Sequence, residues 1–141
     1  MQRNRKKITV TLPPGYEKPS LPWFDTWINA LESGNYRRVD GLLTGPVGED
    51  SRTGYCCLGV LSKVQGRLGK DGCDGRTSAV TVLSTNNPSV KSGIMSTKGS
   101  FPRGVKIVDS DGYVYETLAR MNDKGYSFKV IAGIIKQIWK A

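Results

Sequence analysis

The chain contains no histidine anywhere in its 141 residues. That absence excludes a Ser-His-Asp or Cys-His catalytic pair and any His-containing zinc site. Cysteine is scarce too: there are three, with no secretory leader to match, which points to reduced thiols and not to a disulfide framework. An all-thiolate zinc site needs a fourth cysteine, so a carboxylate would have to stand in. No apolar run approaches the roughly 18 residues of a membrane span. The basic start, Met1 to Lys7, is followed by Ile8-Thr9-Val10-Thr11-Leu12 and then prolines, too short and interrupted for a signal-peptide core. The expectation is a protein that stays in the cytosol where it is made.

Acidic residues are the next shortage. Twelve Asp and Glu face 21 Lys and Arg, a formal charge of +9. Four of those charges fall in residues 1–7, expected to be a flexible basic arm; the remaining +5 belongs to residues 8–141, expected to be one domain. A field of this sign attracts nucleotides, nucleic acid or acidic protein surfaces.

What is present is organised around Tyr55-Cys56-Cys57-Leu58-Gly59-Val60-Leu61. Cysteine behaves there as a small hydrophobe, and the spacing predicts a buried central helix from Tyr55 to Val64. Two adjacent cysteines on a helix point about 100° apart, so they cannot both face one ligand.

Upstream, Ile8–Leu12 predicts an edge strand. A helix carrying Trp23, Trp27, Ala30 and Leu31 follows, with Ser20 as cap, Pro22 in the first turn and Gly34 as terminator. Thr44–Gly54 reads as a surface loop and Gln65–Gly72 as a glycine-rich turn. The latter lacks the G-x-x-x-x-G-K-[ST] spacing of a P-loop. Ala79–Leu83 has the composition of a strand, and Ser84–Gly99 that of a long, mobile loop. Val105–Val108 and Tyr113–Tyr115 flank the hairpin signal Asp111-Gly112. Tyr115–Lys124 and the segment capped by Ser127, with Phe128, Ile131, Ile135 and Ile138 on one stripe, complete the chain as helices. The sum is an α+β domain: a small sheet of short strands packed with about four helices. The last two helices invite a helix-turn-helix reading, but the outward residues Lys129, Lys136, Gln137 and Lys140 suit phosphates better than base edges.

Three blocks carry a resemblance. They are Trp27-x3-Leu31-x-Ser33-Gly34-x-Tyr36, then Tyr55–Leu61, then Leu118-Ala119-x2-Asn122-Asp123-x-Gly125-x-Ser127-Phe128-x2-Ile131-Ala132. In this order and spacing they resemble a group of uncharacterised small proteins of tailed bacteriophages. The resemblance implies a phage accessory protein in the bacterial host cytoplasm. It transfers no catalytic residue, because that family has no settled activity.

The expectation for function is a non-enzymatic binder of a phosphate-bearing ligand, without cofactor or metal, that sequesters a nucleotide signal in counter-defence. The alternatives are a nucleic-acid-binding regulator and an inhibitor of a host protein. The candidate ligand-binding residues are Arg37, Arg38, Arg52, Arg67, Lys70 and Arg103, cations in or beside glycine-rich loops whose backbone N–H groups can cradle an anion.

Overall fold

The computed structural model describes residues 7–40, 44–47, 52–68 and 82–141. The chain is an α+β domain. Among the described residues it forms β1 (Ile8–Thr11), α1 (Phe24–Ser33), β2 (Thr44–Val47), β3 (Arg52–Tyr55), α2 (Cys57–Val64) and α3 (Pro88–Lys91). They are followed by β4 (Lys106–Asp109), β5 (Val114–Tyr115), α4 (Leu118–Asp123) and α5 (Phe128–Ile138). One antiparallel sheet has the order β1-β4-β5, and β2 pairs with β3 in a separate hairpin. No helix among these residues is long and apolar enough to cross a membrane.

The core is built where the stripes meet. Trp27 and Leu31 of α1, Leu58 and Leu61 of α2, Leu118 and Met121 of α4, and Ile131, Ile135 and Ile138 of α5 are all buried. Burial of each such side chain contributes on the order of 1.5–3 kcal/mol. The α5 stripe follows the spacing expected from sequence, and the Ser127 hydroxyl accepts the Val130 N–H (3.2 Å), holding an otherwise orphaned donor.

Several expectations are corrected. Ser20 does not cap α1. Its neighbours are held extended against the chain end, with Leu21 N–H on the Lys140 carbonyl (2.8 Å) and Lys140 N–H on the Pro19 carbonyl (3.1 Å). The helix therefore starts at Phe24, and its cap is Trp23, a non-glycine residue at φ 69° with 45% of its surface exposed. The Thr44–Gly54 loop is instead a hairpin, β2 and β3, whose connecting residues lie outside the described part. Tyr55 ends β3, so the central helix begins at Cys57. Tyr115 lies in β5, so α4 begins at Leu118 with Thr117 as its cap.

The mobile loop expected over Ser84–Gly99 is an ordered, packed segment. Asn87 caps α3 by accepting the Ser89 N–H (2.9 Å), and Asn87, Ser89 and Met95 are buried. Its polar residues misled the sequence reading because they are satisfied internally: the Ser89 hydroxyl, for example, donates to the Pro22 carbonyl (3.2 Å). Residues 79–81 of the strand expected at Ala79–Leu83 are outside the described part. Val82 and Leu83 are not in a strand, although Leu83 N–H donates to the Thr97 carbonyl (2.7 Å). Most of the basic arm, and Gly69–Gly72 of the glycine-rich turn, also lie outside.

Candidate functional site

Two polar constellations stand out, and they behave differently. The first surrounds the start of α2. Trp27 Nε1 donates to the Cys57 carbonyl (2.9 Å), and Asn122 Oδ1 accepts the Cys57 N–H (3.1 Å). Asn122 Nδ2 donates to the Val39 carbonyl (2.8 Å), and Arg38 Nη1 donates to the Asn122 carbonyl (2.8 Å) while pairing with Asp40. The three sequence blocks thus meet through Trp27, Cys57 and Asn122, all fully buried.

The thiols of this region are inert. Cys56 acts as the helix cap, its Sγ accepting the Gly59 N–H (3.3 Å). Burial pushes its pKa up to about 11. Burial, then the neighbouring Cys56, push that of Cys57 well above the ordinary thiol value. A protonated, enclosed thiol is a poor nucleophile and a poor metal ligand. The third cysteine lies outside the described residues. Among those described, no group of three or more Cys, Asp or Glu is placed to hold a metal ion.

The second constellation lies on the β5 side of the sheet. Asp109, at the end of β4, accepts the N–H groups of Asp111 (2.9 Å) and Tyr113 (3.0 Å) with Oδ1. Its Oδ2 accepts the buried Tyr115 hydroxyl (3.1 Å), which also lies 3.5 Å from the Tyr126 hydroxyl. Desolvation, reinforced by these two partners, raises the Tyr115 pKa, so this hydroxyl stays protonated. The carboxylate fixes the turn and with it the backbone of Tyr113.

Tyr115 supports the Tyr113 ring edge-on from beneath, with centroids 4.7 Å apart. From α4 and its C-cap, Arg120 and Lys124 reach the same ring, their cationic centres 5.7 Å and 5.0 Å from its centroid. Four residues apart, they occupy one helix face. Arg120 Nε donates to the Tyr113 hydroxyl (2.9 Å), which leaves both Nη groups for an anion. Beside them opens a cleft of about 390 Å³ lined by Lys98, Tyr113, Val114, Glu116, Thr117 and Arg120. That volume lies within the range of small-ligand sites. In the lining Lys98 and Arg120 set two cations against the single carboxylate of Glu116, and Lys124 adds a third beside the Tyr113 ring. Among the described residues none of the three is paired with an acid.

The residues singled out from sequence are dispersed. Arg37 and Arg38 lie together along β3, where the Arg37 carbonyl accepts the Tyr55 N–H (2.7 Å). Arg38 lines a second, smaller cavity of about 240 Å³ with Tyr36 and Phe128, but its guanidinium already ties residues 38–40 to α4. Arg67 follows α2 and donates from Nη2 to the Asn86 carbonyl (3.1 Å). Arg103 is exposed in the turn before β4. Arg52 opens β3, with its side chain outside the described part, and Lys70 lies outside it altogether.

Sequence reasoning missed Lys98, Tyr113, Arg120 and Lys124. The available signal was the Arg120/Lys124 spacing on a helix that follows an aromatic hairpin. No family model, curated protein or solved structure matches this chain.

Proposed function

We propose that this protein is a non-enzymatic binder of a phosphate-bearing ligand, and that the ligand is a small nucleotide engaged at the Tyr113 cleft. The observation that carries this reading is the exposed Tyr113 ring with Arg120 and Lys124 against it and Lys98 across the cleft. An aromatic face contributes about 1–3 kcal/mol by stacking on a base. A guanidinium with both Nη groups available matches a phosphate bidentately. Together with the resemblance to tailed-phage proteins, this supports a role in sequestering a nucleotide signal in the host cytoplasm.

A panel of cyclic and linear nucleotides, titrated by calorimetry and thermal shift at low salt, tests the proposal. At least one should bind, with affinity reduced about tenfold or more by Tyr113→Ala or Arg120→Ala, a change equivalent to about 1.4 kcal/mol. No heat and no stabilisation with any member would end it. Binding of oligonucleotides alone, weakening steeply with salt, would favour the nucleic-acid-binding reading instead.

A further inference from the structure

The opposite edge of the three-stranded sheet is shaped for a different kind of guest. β1 pairs with β4 on one side only; among the described residues its outer edge has no strand partner. Alongside that edge runs a groove of about 350 Å³, with Ile8 and Val10 as one wall and Val130, Gly133 and Ile134 of α5 on its floor. Val130 is 40% exposed.

Gly133 is the informative residue. It sits in the middle of α5, where glycine is about 1 kcal/mol less favourable than alanine. Nothing nearby requires it: its φ is not positive, and a Cβ added there would meet no atom within 4 Å. A glycine that neither backbone nor packing demands, on the floor of an open groove, leaves room for the close approach of another backbone.

From Val130 to Gln137 the floor is about 10 Å long at about 1.5 Å per residue. That matches three or four residues of extended chain, and β1 itself has four. The charged residues at the rim are Lys7 and Lys129, with no acid in the lining. A second copy would bring like charges together, since each chain carries +9.

We infer that the groove between β1 and α5 binds an extended, apolar segment of an acidic partner protein, which adds as a strand to the outer edge of β1. The added strand would gain main-chain hydrogen bonds from β1. Its alternate side chains would face Val130 and Ile134, its backbone would pass over Gly133, and flanking carboxylates would meet Lys7 and Lys129. This surface is separate from the Tyr113 cleft, which shares no lining residue with it.

The test uses the full chain as bait for a displayed library of random dodecapeptides, followed by anisotropy titrations with synthetic copies of the selected peptides. Selected peptides should carry alternating apolar residues flanked by Asp or Glu. Their affinity should fall at least tenfold when alternate backbone nitrogens are methylated, and for Val130→Asp or Gly133→Leu. Gly133→Ala serves as a folding control: it should raise the melting temperature while weakening binding. The β1 amides that face away from β4 should exchange slowly only on binding, those paired with β4 serving as the internal reference. No enrichment, basic selected peptides, equal binding by the groove variants, slow exchange of the outward-facing β1 amides in the free protein, or a dimer formed through β1 would each overturn the inference.

Discussion

The start of α2 and the β5 face are both rich in polar groups, yet their hydrogen bonds point in opposite directions. At α2 every polar atom described above is spent inside the chain. Asn122, itself fully buried, alone engages Cys57, Val39 and Arg38. At β5 the buried part, Asp109 with Tyr115, is likewise closed, but it holds up a ring and three cations that face outward. The first arrangement locks three segments of the chain into a fixed core; the second uses a fixed core to present unspent donors. Polar content alone therefore does not mark a site. What marks it is where the donors end.

Substitutions should separate the two regions. Asn122→Ala strands the buried Cys57 N–H and the Val39 carbonyl together, and the expected loss is on the order of 3–5 kcal/mol in chemical denaturation, since each unsatisfied group costs about 1–3. Gly99→Ala acts at the start of α4, the helix that carries both Asn122 and Arg120. Gly99 has φ 72°, a Cβ there would lie 3.0 Å from Leu118 Cβ, and its carbonyl accepts the Leu118 N–H (2.9 Å). Strain of about 1–2 kcal/mol from the backbone, plus the clash, predicts a loss of roughly 2–4 kcal/mol with the cleft disturbed as well.

Alkaline pH probes the first region without mutation. Cys56 and Cys57 keep their protons in the folded chain beyond pH 9, whereas the unfolded chain releases them there. The folded state then holds more protons, so stability is flat below about pH 9 and falls above it, by on the order of 2–3 kcal/mol at pH 10 for the two thiols together. Denaturation midpoints at pH 8 and 10 measure this, and Cys56→Ala should reduce the difference. Smallest in stability is Tyr113→Ala, expected at about 1 kcal/mol because the ring keeps 39% of its surface exposed and loses chiefly its edge contact with Tyr115, although ligand affinity should drop about tenfold. A stability loss comparable to that of Asn122→Ala would erase the distinction between the regions.

How much could be read from the residues divides along the same line. The stripes of α1, α2 and α5 and the buried double cysteine were legible because burial imposes a periodicity. The Asp111-Gly112 hairpin was legible because its turn demands particular residues. Ser84–Gly99 was not, since its polar residues close local caps and turns, as Asn87 does on Ser89, and its docking rests on long-range partners such as the Pro22 carbonyl. Nor was the hairpin of β2 and β3, whose glycines and Pro46 read as a loop. The cleft was missed for a related reason: Lys98, Tyr113 and Arg120 are brought together by the fold, with the carbonyls of Lys98 and Gly99 bonded to the first N–H groups of α4. Glycine-rich loops drew attention to Arg38 and Arg67, whose guanidinium groups are bonded to carbonyls of the chain itself.

The central claim is that the outward donors around Tyr113, and not the saturated junction at α2, bind the ligand. The most direct measurement is a calorimetric titration of the nucleotide panel into the wild-type chain and Arg120→Ala at equal temperature and low salt. The account predicts saturable binding by the wild type, and an affinity about tenfold weaker in the variant with its melting temperature unchanged. Equal affinities in the two proteins, or no binding heat in either, would contradict it.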